Sequence, residues 1–164
     1  MLYLATKLRE LNFSKLMAVY EEGNRENAAI FFPDLPEGQR MIQAEQSFYQ
    51  YLQEGFFTVQ GAKYCIWQVN GKYVSALRLE PYRDVWLLEA LETAPDQRRK
   101  GYAEALIQAV LERCGNTKIY SHVGKHNEAS LRVHEKCGFQ RILEYAVYVD
   151  GSVNSRCCTL VHER

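Results

Sequence analysis

The chain has 164 residues, of which 47% are apolar and 24% are charged. This length suits one domain with a sizeable core, and this composition excludes an intrinsically disordered chain. The 20 basic and 20 acidic side chains give a formal net charge of zero, which argues against a general nucleic-acid binder because such proteins usually carry a basic excess.

The five cysteines are odd in number and contain no Cys-x-x-Cys pair, which indicates reduced thiols rather than a disulfide framework or a zinc site. Residues 1–10 contain no apolar signal core. No apolar run approaches the roughly 20 residues that a membrane span requires. We therefore expect a cytoplasmic protein without a metal ion and without a membrane partner.

The first third of the chain predicts one strand and two helices. Leu2–Ala5 can form the first strand, and apolar residues at helical spacing predict a helix over roughly residues 11–23. Residues 24–36 contain two prolines and therefore predict a loop. A second helix is expected from about Gly38 to Glu54.

Three strands are predicted between residues 63 and 92. Lys63–Val69 and Lys72–Leu79 flank Asn70-Gly71, which is a strong hairpin signal because both residues tolerate positive φ. Trp86–Glu92 is an apolar-rich run that is short enough for a strand.

The last third predicts two helices and three strands. A helix follows Gly101, a strand covers Lys118–Val123, and a second helix from Asn127 ends at Gly138, which is placed as a left-handed cap. Residues 139–149 and 155–162 predict two final strands. Without repeats or low-complexity linkers, this order indicates one α/β domain with a mixed sheet over residues 1–164.

A basic loop between the strand at 86–92 and the next helix carries the main functional signal. It reads Arg98-Arg99-Lys100-Gly101-Tyr102-Ala103. A helix start offers N–H groups without internal partners, and small residues let a ligand approach the backbone. The loop therefore predicts a phosphate or pyrophosphate site. The alternative is an ordinary surface turn, because short glycine motifs also occur by chance.

A second segment, residues 127–139, supports the first interpretation. Asn127 is a suitable N-cap, and Gly138-Phe139 leaves the helix toward the sheet. Taken with the basic loop, the segment resembles the GNAT superfamily of acyl-CoA-dependent N-acyltransferases over about residues 85–140. The family's Q/R-x-x-G-x-G/A loop and N-x-x-S/A helix are matched here by Arg98, Gly101, Ala103, Asn127 and Ser130.

The resemblance implies an α+β fold with a twisted, mostly antiparallel sheet of about seven strands and about four helices. It also implies acetyl-CoA, or another acyl-CoA, as co-substrate. In the family, loop N–H groups hold the pyrophosphate, and the end of the central strand pairs with the pantetheine. The residues expected to bind the acyl-CoA are Leu91, Thr93, Arg98, Arg99, Lys100, Gly101, Tyr102, Ala103, Asn127 and Ser130.

The reaction implied by the resemblance is direct attack of a primary amine on the thioester in a ternary complex. The carbonyl oxygen gains charge and needs a donor, for which the family uses a backbone N–H, here near Leu91. His134 stands seven residues after Asn127, where many relatives carry a tyrosine acid. A histidine has an unperturbed pKa near 6.5 and could replace that acid. The alternative is a structural histidine on the helix.

Two residues are candidates for the base that takes the amine proton. Glu89 is expected on the same strand face as Leu91 and Thr93 because side chains alternate, and by the same argument Glu92 is discounted. His122 lies on the next strand, where relatives that acylate protein N-termini carry a glutamate. Alternation alone does not show which candidate lies near an acceptor.

Two functions of different classes follow. The first is an N-acetyltransferase that acts on a small-molecule amine or on a protein amine. The second is a catalytically inactive acyl-CoA sensor or interaction module of the same fold. Another kind of nucleotide-binding protein is disfavoured, because no G-x-x-x-x-G-K-[ST] or G-x-G-x-x-G motif follows a strand. The acceptor, the acyl-chain preference and the choice between monomer and homodimer stay open.

Overall fold

The computed structural model describes residues 1–164 as one seven-stranded sheet with helices on both faces, beside a two-stranded hairpin. The strands are β1 (Leu2–Ala5), β2 (Lys63–Val69), β3 (Lys72–Tyr82), β4 (Val85–Thr93), β5 (Ile119–Gly124), β6 (Gln140–Leu143), β7 (Ala146–Val147), β8 (Val153–Asn154) and β9 (Cys157–His162). The helices are α1 (Phe13–Val19), α2 (Glu21–Phe31), α3 (Glu37–Glu54), α4 (Tyr102–Cys114) and α5 (Glu128–Lys136). Single 3-10 turns cover Leu8–Glu10, Phe56–Thr58 and Pro95–Gln97.

The sheet is mostly antiparallel, as the family resemblance implies. Its strand order is β1-β2-β3-β4-β5-β9-β6, and only β4 and β5 run parallel. The separate hairpin consists of β7 and β8. No helix combines the length and the apolar character that crossing a membrane requires.

The parallel strands β4 and β5 pair over only three positions, the last of which joins Leu88 to Ser121. Both strands continue beyond that pair, β4 to Thr93 and β5 to Gly124, without pairing to each other. We call this opening, which begins at Glu89 and His122, the β4–β5 fork. The fork places unpaired strand backbone at the centre of the sheet, where a ligand can reach it.

Two apolar cores cover the two faces of the sheet. On one face, α4 contributes Leu106, Ile107 and Val110 to a core that also holds Leu88. We call this the α4 face. On the other face, α1 and α3 contribute a second core, whose fully buried members include Leu16, Leu52, Phe56, Tyr64 and Ile66. We call this the α1–α3 face.

A β-bulge at Ala90 changes which face the end of β4 presents. The register with β3 shifts between Ala76 and Arg78, and Ala90 has a φ of 54°. Two residues of β4 therefore oppose one residue of β3, so strict alternation fails beyond Glu89. Leu91 packs on the α4 face, whereas Ala90 packs on the α1–α3 face.

The early helices differ from the sequence prediction. The predicted helix over residues 11–23 is split into α1 and α2, and the predicted loop over 24–36 is wrong because α2 continues to Phe31. Its prolines begin only at Pro33, so they end the helix rather than prevent it. The two C-terminal strands are also shorter, because β6 stops at Leu143 and the chain then turns into β7.

Other predictions are confirmed. The first strand, the helix over 38–54 and the hairpin at Asn70-Gly71 form as expected, with φ of 49° at Asn70 and 76° at Gly71. Gly138 follows α5 with a φ of 90°. Each of these features depends on residues close together in the sequence.

Candidate acyl-CoA site

A cavity of about 640 Å³ lies between α2, the end of β4, the basic loop and the first turns of α5. Its lining includes nine of the ten residues predicted to bind an acyl-CoA, namely Leu91, Thr93, Arg98, Arg99, Gly101, Tyr102, Ala103, Asn127 and Ser130. The tenth, Lys100, does not line the cavity, and its Nζ lies 3.1 Å from Gln97 Oε1. The structure thus brings two sequence-distant motifs together around one cavity.

The basic loop presents a row of free backbone donors to this cavity. None of the N–H groups from Arg99 to Glu104 donates a well-formed hydrogen bond to the protein, and the first intrahelical bond runs from Ala105 to Gly101. Arg99 and Gly101 both have positive φ, at 62° and 77°. Such a backbone concavity at a helix N-terminus suits an anion. The donor set therefore fits the pyrophosphate of a CoA substrate.

One cation of the basic loop, Arg98, already forms a salt bridge within the protein. The Arg98 guanidinium forms a salt bridge with Glu22 of α2 at 2.8 Å, and both side chains are over 40% exposed. Glu22 and Glu26 also line the cavity. The sequence analysis singled out neither glutamate. Because it ended the helix at residue 23, Glu26 fell in the predicted loop, whereas α2 places Glu22 and Glu26 one turn apart on one face.

The first turn of α5 closes the cavity opposite the basic loop. The Asn127 side chain caps the helix, because its Oδ1 accepts from the Ser130 N–H at 3.1 Å. This hydrogen bond occupies the carbonyl oxygen of Asn127 and leaves its amide nitrogen as a donor. Asn127 is therefore both the helix cap and a potential ligand contact.

His134 is placed in the interior rather than in the cavity. Its side chain is 1% exposed, its Nδ1 lies 2.7 Å from the Ser130 carbonyl oxygen, and its Nε2 lies 2.8 Å from Ser121 Oγ. A carbonyl can only accept, so Nδ1 carries the proton and Nε2 accepts from the serine. Burial lowers the pKa of His134, and the Ser130 hydrogen bond opposes this shift. The neutral imidazole reaches the cavity only through Ser130.

The two base candidates lie together on the α1–α3 face, which for Glu89 is opposite to the face expected. Glu89 pairs with Arg78, whose guanidinium lies over the ring of Tyr51 from α3. Glu89 therefore faces α3, whereas Leu91 faces α4, and the expectation that they share a face is wrong because of the bulge. Glu92 faces away from Leu91, as expected, but the bulge puts it on the same side as Glu89 rather than on the opposite side.

His122 lies beside Glu89 at the opening of the β4–β5 fork. Its ring meets those of Tyr82 and Tyr148 edge to face, and neither ring nitrogen has a hydrogen-bond partner. Burial lowers the pKa of His122, and the nearby charge of Glu89 opposes that shift. The opening of the fork thus carries titratable groups on the α1–α3 face, whereas Leu91, which lines the cavity, packs on the α4 face.

Comparison with known sequences and structures agrees with this arrangement. A sequence model of the Acetyltransferase (GNAT) family matches residues 16–139. No curated protein sequence matches at a significant level.

Solved structures share the whole fold at low identity. An N-acetyltransferase of Staphylococcus aureus is 16% identical, with a TM-score of 0.64 over 98% of this chain and 100% of that chain. The PaiA N-acetyltransferase of Thermoplasma acidophilum, solved with coenzyme A, is 10% identical, with a TM-score of 0.62 over 100% and 99% of the two chains. A GNAT acetyltransferase of Bacillus anthracis is 16% identical, with a TM-score of 0.62 over 99% and 94%.

The family match spans most of the chain and includes both motifs that line the cavity. The similar structures share the fold over nearly the whole length of the chain. The chain therefore belongs to the GNAT acetyltransferase family.

Proposed function

We propose that this protein transfers an acetyl group from acetyl-CoA to a primary amine by direct attack within a ternary complex. The observation that carries the proposal is the single cavity that joins the free N–H groups of residues 99–104 to the edge of β4 at Leu91 and Thr93. A pyrophosphate bound at the loop and an extended pantetheine beside β4 would direct the thioester toward the β4–β5 fork.

The binding step uses groups that need little rearrangement. The loop N–H groups are already oriented, and the α4 dipole adds partial positive charge at the same point. Arg98 is the exception, because its guanidinium is bound to Glu22 and would have to be shared with the phosphate. The exposed position of this salt bridge makes its loss cheap, at about 0–1 kcal/mol.

The chemical step requires a neutral amine, a donor for the carbonyl oxygen and a leaving thiolate. The amine must give up a proton first, because an ammonium has no lone pair. Glu89 and His122, at the opening of the fork, are the groups from which we infer this base. A backbone N–H near Leu91 is the proposed donor to the carbonyl oxygen.

The second candidate function is an acyl-CoA-binding module without turnover. One observation favours it: His134, which stands where many relatives carry a tyrosine acid, is buried and does not line the cavity. A thiolate is a good leaving group, however, and can depart without a strong acid. The proposal of an enzyme therefore does not depend on His134.

The test is release of free thiol from acetyl-CoA in the presence of a panel of primary amines. The panel contains monoamines, diamines, amino acids, a lysine-containing peptide and a peptide with a free N-terminus, each with and without enzyme. We expect amine-dependent thiol release with at least one class, and acetylated amine by mass spectrometry in equal amount.

Calorimetry with acetyl-CoA completes this experiment. Binding of acetyl-CoA without turnover on any amine would favour the sensor function. No binding of any CoA species would refute both functions, because both require the cavity to hold the co-substrate.

A further inference from the structure

Two residues of β4, Ala90 and Leu91, have no partner in the register with β3. The pairing skips from Glu89 to Glu92, and both unpaired residues stand at the bulge beside the opening of the β4–β5 fork. Ala90 has a φ of 54°, a conformation that an L-residue keeps only when its surroundings hold it there. The contacts that hold the peptide group between Ala90 and Leu91 therefore decide the shape of the bulge.

Tyr20, the residue between α1 and α2, holds the carbonyl group of Ala90. Its hydroxyl donates to that oxygen over 2.7 Å. The side chain is 5% exposed and packs against Phe48 and Tyr64, with ring centres 5.1 and 6.3 Å away. Burial raises the pKa of Tyr20 well above its usual value, so the hydroxyl stays protonated. Tyr20 is therefore a fixed hydrogen-bond donor to the bulge.

The planar peptide group turns this hydrogen bond into a constraint on Leu91. The C=O of Ala90 and the N–H of Leu91 belong to one trans peptide unit, in which the two groups point in opposite directions. Tyr20 belongs to the core of the α1–α3 face, so the Ala90 carbonyl points toward that face. The Leu91 N–H must then point toward the α4 face, on which the Leu91 side chain packs and lines the cavity.

The same hydrogen bond strengthens the Leu91 N–H as a donor. A donor bound to a carbonyl oxygen draws electron density from the amide, which makes the N–H of that peptide unit more positive. An N–H that is already oriented and polarised is most effective where negative charge develops on a substrate oxygen. The Tyr20 hydroxyl and the Leu91 N–H are thus the two ends of one hydrogen-bonded chain through the Ala90 carbonyl.

A second hydroxyl holds β4 on the other side of Leu91. Ser75 of β3 is 0% exposed, and its Oγ donates to the Glu92 carbonyl oxygen at 2.8 Å. The same Oγ lies 3.1 Å from Thr93 Oγ1. Side-chain hydroxyls therefore hold the backbone on both sides of the Leu91 N–H, which leaves this group little freedom to turn.

We propose that Tyr20 is a positioning residue, whose hydroxyl holds the Ala90–Leu91 peptide so that the Leu91 N–H meets the carbonyl oxygen of the thioester. This inference rests on the proposed function. The amine lone pair forms the C–N bond while the carbonyl electron pair moves onto oxygen, and that pair returns as the C–S bond breaks. The acceptor ammonium gives one proton to the base and one to the leaving thiolate, whereas Tyr20 exchanges no proton.

The experiment compares Tyr20→Phe with the control Tyr73→Phe. Both variants keep the ring and remove one hydroxyl from the same core, but the Tyr73 hydroxyl accepts from the Asn12 N–H at 3.2 Å rather than donating to β4. Kinetics with the best amine from the panel separate kcat from KM, and calorimetry gives the acetyl-CoA affinity. Infrared spectroscopy of bound acetyl-CoA with a carbon-13 carbonyl follows the thioester C=O stretch and does not depend on turnover.

We expect the thioester carbonyl to absorb at lower frequency when bound than when free, because its oxygen accepts from the Leu91 N–H. Tyr20→Phe should lose most of this shift. Its kcat should fall about tenfold, which is less than the roughly 100- to 1,000-fold cost of removing an oxyanion donor outright. Acetyl-CoA affinity should stay unchanged, since the phosphate and pantetheine contacts remain. Tyr73→Phe should keep both the infrared shift and kcat.

The outcomes separate this proposal from the proposed function. A wild-type infrared shift and wild-type kcat in Tyr20→Phe would refute the role of Tyr20 and leave the acetyltransferase intact. Equal losses in Tyr73→Phe would also refute it, because they would come from a loosened core. Absence of turnover in the wild type on every amine would instead refute the proposed function, and the infrared shift alone would then decide whether Tyr20 orients the peptide.

Discussion

At the scale of single residues, Gly101 shows a constraint that comes from the backbone conformation rather than from packing. Its φ is 77°, and a Cβ built there would meet no protein atom within 4 Å. The left-handed conformation favours glycine at this position, and the phosphate that we propose to bind at the free N–H groups beside it would need the same open space.

We predict that Gly101→Ala lowers acetyl-CoA affinity by about tenfold, because the left-handed conformation costs an L-residue roughly 1–2 kcal/mol and shifts the loop away from it. Gly151→Ala is the matched control. Gly151 also has a positive φ and open space around it, but it does not line the cavity. Calorimetry should show an affinity change for the first variant only. Equal affinities would place the phosphate elsewhere.

At the scale of elements, His134 joins α5 to the sheet. It binds Ser121 of β5 through Nε2 and the Ser130 carbonyl of the first helical turn through Nδ1. That turn carries Asn127 and Ser130 into the cavity. The imidazole thus fixes the distance between a central strand and the part of α5 that lines the cavity.

We predict that His134→Ala loses about 1–3 kcal/mol of unfolding free energy, because two buried hydrogen bonds are lost, and weakens acetyl-CoA binding and turnover together. A role as catalytic acid would instead lower turnover at unchanged affinity. Calorimetry and urea unfolding measure both quantities, with His126→Gln, an exposed histidine, as the control.

The pH dependence of stability gives an independent check. Burial lowers the pKa of His134 in the folded state. As the pH falls through about 6.5, His134 therefore becomes protonated in the unfolded chain while it stays neutral in the folded chain. The contribution of His134 to stability is therefore present above pH 6.5 and is lost as the pH falls through and below that value. His134→Gln should flatten this acidic slope in urea unfolding, and an unchanged slope would contradict it.

At the scale of the whole molecule, the cavity is built from both layers that cover the sheet. Helix α2 lies with the α1–α3 layer, whereas α4 and α5 contribute the other wall, and the exposed Arg98–Glu22 salt bridge joins the two across the cavity. A ligand in this cavity would contact elements that otherwise meet mainly through the sheet. Its binding should therefore stabilise the whole fold.

We predict that acetyl-CoA at about 100 times its dissociation constant adds about 2.7 kcal/mol to stability, which for a chain of this size raises the unfolding temperature by roughly 5–10 °C. ATP, which has phosphates but no pantetheine, should give a much smaller shift. Thermal unfolding with each ligand measures the difference. Equal shifts with ATP would indicate a phosphate site without a pantetheine channel.

The sequence by itself determined the features that depend on neighbouring residues. The Asn70-Gly71 hairpin, the Gly138 cap, the cap at Asn127 and the basic loop before α4 each follow from local backbone preferences or hydrogen bonds. Two such motifs at the right separation were enough to indicate the family and nine of the residues that line the cavity.

Only the tertiary structure decided which residues share a face and which meet across the sheet. The bulge at Ala90 placed Glu89 and Leu91 on opposite faces, and the short β4–β5 pairing opened the fork. Both follow from the register between strands, which is set by packing over long sequence distances.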